Sequence, residues 1–125
     1  MSRIRIGLAA AIAASALVVP AAVHATAAKT TLKGTVGPGF TITLKDAKGH
    51  KVTKLKAGVY AFKIADKASI HNFVLEQEKG GTFEKDLTSV GFTGTKTVVV
   101  TLKKGKYKYY CRPHESSMFG TFTVS

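Results

Sequence analysis

The sequence predicts an all-β fold, a sandwich or barrel of about eight short strands, from three observations. Apolar and polar residues alternate with period two in one segment after another. Turn-forming residues separate those segments. No window sustains the 3.6-residue period of an amphipathic helix.

In chain order, Thr31–Val36 makes the first strand. In the second, Phe40, Ile42 and Leu44 alternate with Thr41 and Thr43, and Asp46-Ala47-Lys48-Gly49 turns the chain. A weak strand is expected near Val52. After the turn residue Gly58, Tyr60, Phe62 and Ile64 alternate with Ala61 and Lys63. His71, Phe73 and Leu75 share one strand face, opposite Ile70, Asn72 and Val74. The stretch Thr82 to Thr95 is irregular and is read as a loop or a single helical turn. Val98, Val100 and Leu102 form a further inward set, ended by Lys103-Lys104-Gly105. Tyr107, Tyr109 and Cys111 then share a face, with Lys106, Lys108 and Tyr110 facing outward. Gly120, Phe122 and Val124 line the last strand. With no Trp and one Cys, the marks of an immunoglobulin domain are missing.

The first residues have a different character. Arg3 and Arg5 precede an apolar run from Ile6 to Val19, and Ala25-Thr26-Ala27 fits a small-residue cleavage site. The segment 1–27 therefore reads as a secretory signal peptide. The run is short for a bilayer span and Pro20 interrupts it, so no stable membrane span is expected after cleavage. The remaining 28–125 suffices for one domain. The expected location is outside the cytoplasm, in a periplasm, at the cell surface or in the medium.

Cleavage would remove two of the 19 basic residues and none of the 7 acidic ones, leaving a formal charge of +10. Most of that charge is Lys, spread along the chain and alternating with apolar residues. Nucleic-acid binders gather Arg with exposed aromatics, so no nucleic-acid role is expected. The expected partners are an acidic redox protein or an anionic cell surface, met by a monomer.

An exported chain with one Cys cannot form an internal disulfide, and an unpaired thiol in an oxidising compartment calls for a reason. The segment Tyr109-Tyr110-Cys111-Arg112-Pro113-His114-Glu115-Ser116-Ser117-Met118-Phe119-Gly120 supplies one. It runs from a strand through a short loop into the final strand, and can turn a thiolate, an imidazole and a thioether toward one point. His71 can join from a separate strand. Thiolate and thioether are soft donors, imidazole is borderline, and no carboxylate belongs to the set, a mixture that suits one copper ion. Two imidazoles and a thiolate with a distant Met are the blue-copper arrangement. Structural zinc uses four Cys or His ligands, and Met is a poor fourth donor for it.

These residues resemble the cupredoxins, the small blue copper proteins of the plastocyanin and azurin group. Cys111-x-x-His114-x-x-x-Met118 resembles the family's ligand loop, and Ile70-His71-Asn72-Phe73 its first-His segment. The terminal Gly120-x-Phe122-x-Val124 strand extends the likeness, which spans the domain. The resemblance implies a Greek-key β-sandwich and copper ligands at His71, Cys111, His114 and Met118. It further implies electron exit through His114 and an apolar docking patch that includes Pro38 or Phe40. Asn72, Arg112 and Pro113 would surround the metal, and Tyr110 offers a second electron path. The Cys-to-His gap is plastocyanin-like and the His-to-Met gap azurin-like, which leaves the axial distance open. Arg112 stands where a small polar residue is common in the family, and Pro113 has no N–H to donate toward the sulfur.

The function expected is one-electron transfer without catalysis, since no ligand position is left for a substrate. The alternative is an exported copper buffer or donor without a redox partner. A Cys–His nucleophile would need an orienting third group, for which only Asn72 is at hand. A metal-free adhesion sandwich would leave the donor cluster unexplained.

Overall fold

The computed structural model describes residues 11–19 and 29–125. The expected charged start and cleavage site of the signal peptide lie outside the described residues. Residues 11–19 are exposed and carry no helix or strand, with Ile12 and Leu17 more than nine-tenths accessible. No helix among the described residues is long and apolar enough to cross a membrane.

Nine strands follow. They are β1 (Thr30–Val36), β2 (Ile42–Lys45), β3 (Lys54–Leu55), β4 (Gly58–Asp66), β5 (Val74–Lys79), β6 (Glu84–Asp86), β7 (Gly94–Leu102), β8 (Gly105–Tyr110) and β9 (Phe119–Val124). They form two sheets, one ordered β2-β1-β4-β7 and the other β3-β9-β8-β5-β6. Two pairings are parallel, β1 with β4 and β3 with β9, and the other strand pairs are antiparallel. The all-β sandwich expected from the alternation is therefore what forms.

The period-two residues build the core because each strand offers one apolar face to the facing sheet. Leu32 and Val36 of β1, Phe62 and Ile64 of β4, and Leu102 of β7 meet Leu75, Tyr107, Tyr109 and Phe122 of the second sheet. Aromatic rings fill the middle. Phe73 stacks on Tyr109 at 5.6 Å between centroids, and Tyr107 on Phe122 at 5.3 Å. Gly120 is required beside them, since a Cβ there would run into the ring of Tyr109.

Three expectations change. The irregular stretch Thr82 to Thr95 contains β6, whose charged and exposed residues gain their conformation by pairing with β5. His71 precedes β5 instead of lying on a strand, and His71 to Leu75 are buried on both faces. Phe40 falls in the loop before β2 and is 61% exposed. The weak strand expected near Val52 forms as the two-residue β3, with Val52 buried between it and an isolated bridge at Lys51.

Candidate metal centre

Cys111 is the first residue after β8 and continues that strand's inward face, beyond Tyr107 and Tyr109. The loop it opens is closed by its own backbone. The Cys111 N–H donates to the Met118 carbonyl at 3.0 Å, and the His114 N–H donates to the Cys111 carbonyl at 3.1 Å. Ser117 and Met118 N–H groups return to the His114 carbonyl at 3.1 and 2.8 Å. A 3-10 turn spans Arg112–His114, and Pro113 suits its first positions because no intrahelical bond needs an N–H there. The side chains of Cys111 and His114 emerge on the same side of this loop.

His71 arrives from the connector between the turn at Ser69-Ile70 and β5. Its N–H donates to the Ala68 carbonyl at 3.2 Å, and the next inward residue, Phe73, donates its N–H to the Thr88 hydroxyl at 2.9 Å. Gly37, at φ 73°, packs against this connector, and a Cβ there would press on Ala68 and the His71 ring.

The three side chains converge. The Nδ1 atoms of His71 and His114 lie 3.1 Å apart, and the Cys111 sulfur lies 3.6 Å from the first and 3.7 Å from the second. The point equidistant from these three atoms is about 2.0 Å from each, close to metal–imidazole and metal–thiolate bond lengths of about 2.0–2.3 Å. No carboxylate belongs to the cluster. Cys111 and His71 are fully buried, whereas His114 is half-buried at the rim. Met118 is buried at 1% exposure within the core cluster, its backbone bonded to both Cys111 and His114. The donor chemistry and spacing fit a copper ion.

Asn72 joins the two halves of the cluster. Its side-chain oxygen accepts the Arg112 N–H at 2.8 Å, so the loop residue after Cys111 is tied to the residue after His71. Its amide donates to Asp86 at 3.4 Å. The Arg112 guanidinium extends over β6, pairing with Glu84 at 2.9 Å and with Asp86. Those two carboxylates, Asp86 first, push its pKa up, and the Tyr110 hydroxyl and then Arg112 hold Glu84 below the usual carboxylate range.

Tyr110 is not exposed as its outward face suggested. Lys108 and Arg112 lie over its ring and its hydroxyl donates to Glu84 at 2.7 Å, leaving it 3% accessible. This network was invisible in the sequence, where Glu84-Lys85-Asp86 carries no period and sits far from Arg112. Phe40, by contrast, is exposed and lies beside the cluster. Its ring meets those of His71 and His114 edge-on, at 5.3 and 4.9 Å. Exposed Pro38, Ile70 and Phe119 lie on segments adjoining the cluster.

The sequence matches, over residues 31–125, the family described as copper binding proteins, plastocyanin/azurin family. No curated protein matches the chain. Among solved structures, the copper protein rusticyanin is similar at 19% identity, with 76% of each chain covered and a TM-score of 0.54. Auracyanin A, a "blue" copper protein from Chloroflexus aurantiacus, is similar at 17% identity, covering 78% of this chain and 100% of its own, with a TM-score of 0.53. At such identities these likenesses speak for the fold.

Proposed function

The chain belongs to the plastocyanin/azurin family of copper-binding proteins, and on that premise we propose that it is an exported one-electron carrier with a single type 1 copper. The convergence of His71, Cys111 and His114 on one point carries this reading. These three, together with Met118, would hold the ion. Copper, when bound, supplies a couple between Cu(I) and Cu(II). The residues supply a fixed geometry: backbone bonds close the loop and Asn72 locks it to the first-His connector, so neither oxidation state needs the ligands to move. Burial of Cys111 and His71 keeps water from the centre, and half-buried His114, beside Phe40, is the edge through which an electron leaves.

Export rests on residues 1–27 and on the exposure of the apolar stretch 11–19, which packs on nothing. The mature monomer, at +10, would work in a periplasm or at a cell surface and meet acidic partners.

Absorption and EPR spectra of the protein loaded with Cu(II) test the reading. An intense visible band with a narrow copper hyperfine splitting is expected. A colourless protein that binds only Cu(I) would point instead to copper storage or donation. Met118→Leu is expected to keep the band and shift the reduction potential, because a thioether donor would tune the couple without carrying the thiolate transition. An unchanged potential would remove Met118 from the ligand set.

A further inference from the structure

We infer that the outer face of the β2-β1-β4-β7 sheet is a docking surface for an anionic membrane, centred on Lys33, Lys45 and Lys63. Lys33 of β1 is in register with Lys45 of β2 on one side and with Lys63 of β4 on the other. The three ammonium groups thus stand in one row across adjacent strands on a single face, and all three residues are exposed. Like charges placed directly opposite one another destabilise a sheet, and among the described residues no acidic side chain pairs with any of them.

Lysines often guard sheet edges against aggregation, but β1 and β4 are the inner strands of this sheet, so edge protection does not explain Lys33 or Lys63. The acidic residues lie elsewhere. Glu76 and Glu78 are on β5, Glu84 and Asp86 on β6, Glu115 in the Cys111 loop and Asp46 in the turn after β2, while Asp66 is buried. Most of the acidic residues therefore belong to the second sheet and its loop, and none of them pairs with Lys33, Lys45 or Lys63.

A shallow depression lies between Lys33 and Lys63, lined also by Gly34, Thr35, Ala65 and Thr95, so that lysine and threonine side chains border a hollow open to a phosphate group. The surroundings are Thr, Ala and Val, with no aromatic side chain outward on these strands to anchor a protein partner. A flat field of fixed phosphates complements such a face better than a folded acidic protein does. The apolar end around Phe40 and His114 lies apart from it and stays free for a redox partner. This deepens the reading of an exported protein drawn to anionic surfaces and rests on it for which membrane is met, but not on the copper centre.

Vesicle co-sedimentation of the mature protein tests it. Wild type is expected to bind phosphatidylglycerol vesicles at low salt, release at high salt, and ignore phosphatidylcholine vesicles. The triple variant Lys33→Gln, Lys45→Gln, Lys63→Gln is expected to bind about a hundredfold more weakly, at about fivefold per charge. It should also melt no lower than wild type, since the like-charge row is relieved. A control triple of equal charge, Lys54→Gln, Lys85→Gln, Lys104→Gln, removes lysines from β3, β6 and the β7–β8 turn and should lose far less. Equal losses in both triples would reduce the effect to net charge and overturn the assignment. So would a wild type that binds soluble polyphosphate or an acidic protein but no vesicle. Detection of the uncleaved chain in the cytoplasm would defeat export alone, leaving the vesicle result to judge the surface.

Discussion

Cys111→Ser is expected to abolish the visible band of the copper-loaded protein and to weaken copper binding by more than the roughly 10–100-fold lost with a supporting residue. The argument is one of donor chemistry. The Cys111 sulfur is the only soft anionic atom within reach of both imidazoles, at 3.6 and 3.7 Å from their Nδ1 atoms. A serine hydroxyl does not ionise near neutrality, so the two histidines would be left to hold the ion with a neutral oxygen in place of the sulfur. The fold should survive. Ser is close to Cys in shape, and its hydroxyl can bond an imidazole nitrogen, which avoids most of the roughly 1–3 kcal/mol cost of a buried unpaired polar group. Circular dichroism of the variant should match that of wild type while titration calorimetry with Cu(II) shows the loss. A fully coloured, tightly binding variant would remove Cys111 from the centre.

The same contrast between local and distant signals explains what the sequence made legible. Cys111 and His114 lie three residues apart in one loop, so their convergence follows from chain geometry over a few residues. Tyr60, Phe62 and Ile64 were readable as an inward face because burial on one side of a strand imposes period two. His71 could be nominated from its neighbours, but the connector that aims it depends on Thr88, Ala68 and Gly37, which no local pattern marks. β6 was missed because Glu84-Lys85-Asp86 has no apolar residue to reveal a buried face; pairing with β5 alone makes it a strand. Tyr110 was misread for a related reason. Alternation gave its face correctly, but its cover comes from Lys108, Arg112 and Glu84, and side chains that fold back over a sheet leave no trace in period. Sequence period reports which way a side chain points, and burial also depends on what lies over it.

That cover leads to a second large effect, an alkaline unfolding transition in the Cys111→Ser protein, where neither metal nor thiol contributes. Tyr107, Tyr109 and Tyr110 all lie on β8 and are each no more than 3% exposed. Burial is the main cause that raises all three above the ordinary phenol value of about 10. For Tyr110 the hydrogen bond to Glu84 adds to this, since a phenolate would face a carboxylate at 2.7 Å. For Tyr107, the Lys103 N–H reaching its oxygen at 3.1 Å acts in the opposite sense. In the unfolded chain each phenol ionises near pH 10, and in the folded chain each keeps its proton to higher pH. Their contribution is therefore complete below about pH 10 and is lost as pH rises toward the folded values. Each withheld proton steepens the fall by about 1.4 kcal/mol per pH unit, so three together reach about 4 kcal/mol per unit, enough to unfold a marginally stable domain within a few units. Urea denaturation at steps from about pH 8 to about pH 11.5 should show a plateau followed by this descent. Tyr107→Phe, which lies outside the Glu84 network, should reduce the slope by about a third. A stability that stays level through about pH 11 would mean that these phenols ionise inside the fold, and that the aromatic core beneath the metal centre is open to water.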